Sequence, residues 1–139
     1  MWATVPLMEA RLSNNPLRLA ALLAAALCVP AAQAAGPVTV ENALAACVDV
    51  RPGLRSTADG QLLLRADLQL KQSIGRCGCK SAIATYTSQA VLEGGHRSFL
   101  QRGSLRVRES GARTLTLASD AGLAGEGGIV LSLGCAAPD

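Results

Sequence analysis

The segment Arg76-Cys77-Gly78-Cys79-Lys80 combines two cysteines one residue apart with a cation on each side. A Cys-x-Cys pair is compatible with three kinds of chemistry. The thiols can anchor structural disulfides, or they can form a redox couple whose thiolates the flanking cations stabilise. They can also bind a soft metal such as Cu(I), or zinc. These are three different classes of protein, and the rest of the sequence must discriminate between them.

Residues 1–34 are predicted to be a secretory signal peptide that is cleaved after Ala34. A basic segment ending at Arg18 precedes the apolar run Leu19–Val29, and Ala32-Gln33-Ala34 places small residues at the cleavage positions. An apolar run of 11 residues is too short for a bilayer, which takes about 20. We therefore expect an exported protein, periplasmic or extracellular, with no membrane attachment after cleavage.

The mature chain, residues 35–139, has 105 residues and fits a single domain. Its 11 Arg and Lys and 9 Asp and Glu residues are scattered along the chain, so we expect no nucleic-acid partner. It holds one Tyr, one Phe, one His and no Met, whether translation starts at Met1 or Met8. A core so poor in aromatic residues gains less free energy per residue, which makes covalent cross-links more valuable.

Alternation of apolar and polar residues with period two predicts β-strands along most of the mature chain. In Gln61–Lys71 the apolar face carries Leu62, Leu64, Ala66, Leu68 and Leu70. Five further strands are predicted, at Leu44–Val50, Ala82–Leu92, Ser98–Glu109, Arg113–Ser119 and Gly128–Cys135. Thr39–Ala46 is compatible with a short helical turn, and Gly103 predicts a bulge or break.

No helical pattern of 10 to 15 residues interrupts these strands, and glycine-rich turn sequences separate them. The prediction is therefore an all-β domain over residues 35–139. We expect an immunoglobulin-like antiparallel β-sandwich of six or seven strands, cross-linked by disulfides. A small barrel is the alternative.

If consecutive strands run antiparallel, all four mature cysteines fall at one end of the sandwich. An even number of cysteines in an exported domain predicts two disulfides, formed by Cys47, Cys77, Cys79 and Cys135. A Cys77–Cys79 bridge would close a strained ring. We therefore favour the two pairings that join Cys47 and Cys135 to different cysteines of the Cys-Gly-Cys segment, and the sequence does not discriminate between them.

The redox and metal interpretations receive less support from the residues around Cys77 and Cys79. No thioredoxin-like βαβ framework surrounds the pair, and His96 is predicted in a turn at the opposite end of the sandwich. We predict no cofactor, no metal and no catalytic residue. The arginines 102, 106, 108 and 113 are expected on solvated strand faces and edges, with an anionic ligand as the alternative.

The spacing of Cys47, the block Cys77-Gly78-Cys79-Lys80-Ser81-Ala82 and the ending Cys135-Ala136-Ala137-Pro138-Asp139 resembles that of an uncharacterised family of small exported bacterial proteins. The resemblance implies a periplasmic domain and brings no activity with it. The functional prediction is a non-enzymatic binding or structural module that presents loops or an edge strand to a protein partner. The alternative is a thiol-redox or copper-handling protein that uses Cys77 and Cys79.

Overall fold

A computed structural model describes residues 35–137. The signal peptide predicted over residues 1–34 lies outside the described residues, as do Pro138 and Asp139. Seven strands form the domain: β1 Val38–Asn42, β2 Val48–Ala58, β3 Gln61–Leu70, β4 Ile83–Val91, β5 Arg97–Arg106, β6 Gly111–Ala118 and β7 Ile129–Cys135. Three short 3-10 turns, at Ile74–Cys77, Glu93–Gly95 and Ala121–Leu123, lie between strands. Within residues 35–137, no helix has the length and apolar character needed to cross a membrane.

The strands form a four-stranded sheet of order β1-β7-β4-β5 and a three-stranded sheet of order β2-β3-β6. The predicted all-β, disulfide-linked sandwich of six or seven strands is confirmed. Every strand pair is antiparallel except β1–β7, which is parallel. The strand order also differs from that of an immunoglobulin constant domain, whose strands numbered in chain order form sheets 1-2-5-4 and 3-6-7.

The alternation in β3 and β4 decides which faces meet in the core. In β3 the buried residues are Leu62, Leu64, Ala66 and Leu68, which are four of the five residues on the predicted apolar face. In β4 every second residue from Ala84 to Ala90 is buried, including Ser88, whose hydroxyl donates to the carbonyl of Leu117 on β6. Complete burial of a leucine side chain contributes roughly 1.5–3 kcal/mol, so these alternating rows hold the two sheets together.

The prediction of a strand over Leu44–Val50 is wrong in its first half. Residues 43–47 form a turn, and β2 begins at Val48 and continues to Ala58. Pro52-Gly53 argues against a strand in the sequence, because proline and glycine are uncommon inside strands. However, β2 is an edge strand, where proline is tolerated. Gly53 is required there because a Cβ atom would lie 2.7 Å from the Arg65 carbonyl oxygen on β3. The helical turn predicted as an option for Thr39–Ala46 is replaced by β1 in its first half, whereas residues 43–46 belong to the turn.

Gly103 is not a bulge, contrary to the sequence-based expectation. It pairs with Tyr86 inside a continuous β5, and the register shift of the β4–β5 pair lies between Ser88 and Gln89. A Cβ atom at position 103 would lie 2.5 Å from atoms of the Tyr86 ring. The glycine therefore provides the space into which the buried tyrosine ring packs.

Strand directions separate the connecting segments into two groups at opposite ends of the sandwich. One end, here called the cysteine end, is formed by residues 43–47, 71–82, 107–110 and 136–137. The opposite, far end is formed by residues 35–37, 59–60, 92–96 and 119–128. The four cysteines of residues 35–137 all lie at the cysteine end.

Candidate functional site

The Cys-Gly-Cys segment begins at the last residue of a single 3-10 turn, Ile74–Cys77, that is anchored in the core. Ile74 is 1% exposed, and the Ser73 hydroxyl accepts a hydrogen bond from the Gly75 amide at its start. Gly78 then adopts a left-handed conformation, φ 92° and ψ 2°, which glycine reaches without steric cost. This reversal between the cysteines allows their sulfur atoms to join different partners.

Cys77 is bonded to Cys47, and Cys79 is bonded to Cys135, with Cα–Cα distances of 6.2 Å and 5.1 Å. The structure thus contains one of the two pairings between which the sequence did not discriminate. Cys47 lies in the turn between β1 and β2, and Cys135 is the last residue of β7. The Cys-Gly-Cys segment therefore joins a turn between the two sheets to the end of a central strand.

The turn that carries Cys47 is fixed by hydrogen bonds as well as by its disulfide. The Cys47 carbonyl accepts from the amides of Lys71 and Gln72, at 2.8 Å and 3.2 Å. The Lys71 ammonium group donates to the Ala45 carbonyl at 2.9 Å and forms an ion pair with Asp49 at 2.8 Å. This end of the sandwich is consequently a tightly connected structural unit.

The two bridges differ in their access to solvent. Cys47 is fully buried and Cys79 is 7% exposed, whereas Cys77 is half-buried and Cys135 is exposed. A reductant in solution therefore meets the Cys79–Cys135 bridge first, on its Cys135 side.

The remaining candidates for metal or catalytic chemistry lie apart from the cysteines. His96 follows β4 at the far end of the sandwich and is exposed. Among residues 35–137, no three His, Cys, Asp or Glu side chains are grouped so that they could hold a metal ion.

The arginines at positions 102, 106, 108 and 113 fall into two groups. Arg102 and Arg106 lie on the outer face of β5, which is the face turned away from the three-stranded sheet. Arg108 lies in the turn between β5 and β6, and Arg113 lies on β6. A shallow groove of about 360 Å³ is lined by Arg106, Arg108, Glu109 and Arg113.

A second groove, of about 460 Å³, crosses the outer face of the four-stranded sheet beside Arg102. It is lined mainly by small and hydroxyl-bearing side chains from three strands: Thr85, Thr87, Ser104, Ser132, Gly134 and neighbouring residues. The groove is open, and its lining combines hydroxyl groups with apolar surface.

An ion pair on the same outer face was not predicted from the sequence. The Arg97 guanidinium donates to both carboxylate oxygens of Glu41, at 2.8 Å and 3.1 Å, and the Ser132 hydroxyl donates to the same group at 3.1 Å. Arg97 first, and then Ser132, lower the pKa of the Glu41 carboxyl below its ordinary value. The partners are 56 residues apart, and no local pattern connects them.

Two sheets and two disulfides at one end define a disulfide-linked β-sandwich domain. The chain belongs to the family described as "Uncharacterized protein conserved in bacteria (DUF2195)", which it matches over residues 22–138. The resemblance noted from the cysteine spacing is thereby confirmed at the level of an uncharacterised bacterial family. No curated protein and no solved structure matches the chain.

Proposed function

We propose that this domain is exported and acts as a non-enzymatic binding or structural module, with its cysteines serving only as cross-links. The observation that carries the proposal is the connectivity of the Cys-Gly-Cys segment. Each of its cysteines is bonded to a distant partner, 30 and 56 residues away in the chain. Such bridges are typical of small domains in oxidising compartments.

A thiol-redox function would require a different arrangement of the same cysteines. A dithiol couple cycles through a bond between neighbouring thiols or through an accessible low-pKa thiolate. Here Cys77 and Cys79 are held apart by the left-handed Gly78, and Cys47 is fully buried behind one of them. The arrangement favours stable cross-links over exchange.

The test is to express the full chain with residues 1–34 in a bacterial host and to analyse the purified protein without reduction. We expect a mature protein beginning at Ala35 in the periplasmic fraction, four hydrogens lighter than its reduced form. Cytoplasmic protein that retains residues 1–34, or protein with free thiols, would contradict the proposal.

Tryptic mapping of the same sample tests the role of the Cys-Gly-Cys segment. Because Arg76 and Lys80 flank it, trypsin isolates the tetrapeptide 77–80. With the observed pairing, this tetrapeptide stays attached to the peptides that contain Cys47 and Cys135, as one three-chain species. A free tetrapeptide containing an internal Cys77–Cys79 bond, or a metal ion that co-purifies with the protein, would support the redox or copper-handling alternative instead.

A further inference from the structure

Three arginines close together on β5 and in the turn after it have no electrostatic partner among residues 35–137. Lys71 and Arg97 are neutralised by Asp49 and Glu41. By contrast, the arginines at positions 102, 106 and 108 form no ion pair and no side-chain hydrogen bond within the described part of the chain. Positive charge is therefore concentrated along the second half of β5 and the turn that follows.

The strand that carries these arginines is an edge strand. β5 has ten residues and pairs only with β4, so one side of its backbone is unpaired in the four-stranded sheet. Its outer face presents Phe99, which is 60% exposed, then Arg102, Ser104 and Arg106. An exposed aromatic ring beside free backbone donors and acceptors suits the addition of a further strand.

The turn after β5 is held rigidly, so Arg108 is presented from a fixed backbone. Val107 is 2% exposed, and its amide donates to the Ala82 carbonyl at 2.8 Å. The Ser110 hydroxyl accepts from the Leu70 amide at 2.8 Å. The turn is thus anchored to the segment before β4 and to the end of β3.

Arg113, on β6, stabilises the same turn through hydrogen bonds. Its guanidinium donates to the carbonyls of Ala112 and Glu109, at 3.0 Å and 3.4 Å. Gly111, with φ 144°, leaves room for it, because a Cβ atom there would lie 3.2 Å from the Arg113 Nη1 atom. Glu109 is the only acidic residue lining this groove, and its carboxylate forms no ion pair in the described residues.

We propose that an acidic, extended segment of a partner protein adds to the free edge of β5, placing its carboxylates beside Arg102, Arg106 and Arg108. This inference rests on the binding role proposed above and names the class of partner. Side chains on one face of a strand recur about every 6.6–6.8 Å. Arg102 and Arg106 are four positions apart, with Ser104 between them, so acidic residues at alternate positions of an added strand place one carboxylate beside each arginine.

The observations favour a peptide strand over a flexible polyanion. A polyanion would use only the charges of the arginines. A peptide strand also uses the unpaired backbone of β5 and the exposed ring of Phe99. Charged residues protect edge strands from indiscriminate pairing, and a complementary charge pattern on one partner removes that protection selectively.

The test uses a fluorescein-labelled ten-residue peptide of alternating Glu and Val, measured by fluorescence anisotropy with the purified mature protein. A peptide of alternating Glu and Pro has the same charge and lacks half of the backbone donors. We expect the Glu-Val peptide to bind, to bind less tightly as salt increases, and to bind at least fivefold more tightly than the Glu-Pro peptide. Equal binding of the two peptides, or stronger binding of inorganic polyphosphate, would show a general polyanion surface and overturn the proposal.

Charge-reversal variants locate the binding edge. Arg102→Glu and Arg106→Glu should each weaken binding about fivefold or more, since loss of an exposed ion pair alone accounts for up to about fivefold and reversal adds repulsion. Arg65→Glu, on the exposed face of the other sheet, changes the net charge equally and should alter binding by less than twofold. Hydrogen exchange should slow at the amides of β5 when the peptide binds.

An equal effect of Arg65→Glu, or no binding of the Glu-Val peptide at low salt, overturns the inference about β5. If the protein that fails these binding tests is nevertheless exported and contains both disulfides, the proposed function stands. Only the proposal of an acidic peptide partner is then rejected. If the disulfides are absent, the proposed function fails independently of the peptide measurements.

Discussion

Tyr86 illustrates how single residues of this chain join the two sheets. Its hydroxyl donates to the Thr116 carbonyl at 3.1 Å and accepts from the Thr116 amide at 3.2 Å. The same ring packs over Gly103 on the neighbouring strand. One side chain of β4 thus contacts β5 within its own sheet and the backbone of β6 in the opposite sheet.

We expect Tyr86→Phe to lower the free energy of unfolding by about 1–3 kcal/mol, because it leaves two partly buried backbone groups of Thr116 without a partner. Denaturant unfolding monitored by circular dichroism measures this. Phe99→Leu is the matched control at an exposed aromatic position, and it should cost less than about 0.5 kcal/mol. Equal costs for the two variants would contradict the cross-sheet role of the hydroxyl.

The Glu41 carboxyl should titrate below its ordinary pKa, because Arg97 and Ser132 stabilise its charged form. Since the folded-state pKa is lower than the unfolded one, the stabilisation is present above the unfolded value and is lost as pH falls through the folded value. Carboxyl-detected NMR titration measures the folded pKa. Arg97→Gln should raise it toward the ordinary value of 4.5, and Arg51→Gln should leave it unchanged.

At the scale of elements, the Cys-Gly-Cys segment is a junction between three parts of the chain. Without it, the β1–β2 turn and the end of β7 are joined to the segment before β4 only by non-covalent contacts. In the chain-entropy model, closing loops of 30 and 56 residues stabilises the fold by about 4 kcal/mol each. For a domain of this size that is a large part of the total stability.

We expect mild dithiothreitol to reduce the Cys79–Cys135 bridge before the Cys47–Cys77 bridge, because Cys135 is exposed and Cys47 is fully buried. Timed alkylation followed by peptide mass analysis identifies which thiols appear first. In denaturant, where burial is lost, the difference between the two rates should largely disappear. Earlier alkylation of Cys47 in the folded protein would contradict the prediction.

A strand of this domain can be predicted from the sequence when one of its faces is buried and the other is exposed. The strands β3, β4 and β7 were predicted to within one residue at either end because one face of each packs in the core. β2 was largely missed because most of its residues are exposed, so no alternation was imposed on its sequence. The parallel β1–β7 pairing and the Arg97–Glu41 contact were not predictable, since both depend on partners distant in sequence.

At the scale of the whole molecule, charge is distributed unequally between the two ends. Outside the strands, the cysteine end carries four cations and one anion: Lys71, Arg76, Lys80, Arg108 and Glu109. The far end carries four anions and no lysine or arginine: Asp59, Glu93, Asp120 and Glu126. The domain therefore has a strong electrostatic asymmetry along its strands, although its net charge is small.

We expect this asymmetry to orient the protein on an anionic surface with its cysteine end inward. The double variant Arg76→Gln, Lys80→Gln should elute from a cation-exchange column at clearly lower salt than the wild type. The control double variant Arg51→Gln, Arg65→Gln removes the same amount of charge from β2 and β3 of the three-stranded sheet. It should shift elution less. Equal shifts for the two double variants would show that net charge alone determines retention.

The order of the disulfides along the chain also determines how the domain carries tension. A pull between residues 35 and 137 passes along the chain to Cys47, across to Cys77, through Gly78 to Cys79, and across to Cys135. Residues 48–76 and 80–134, which contain six of the seven strands almost entirely, are bypassed by that covalent route. Because residues 35 and 137 lie at opposite ends of the sandwich, stretching loads the parallel β1–β7 pair in shear. Once that pair separates, the disulfides keep residues 48–76 and 80–134 from being extended.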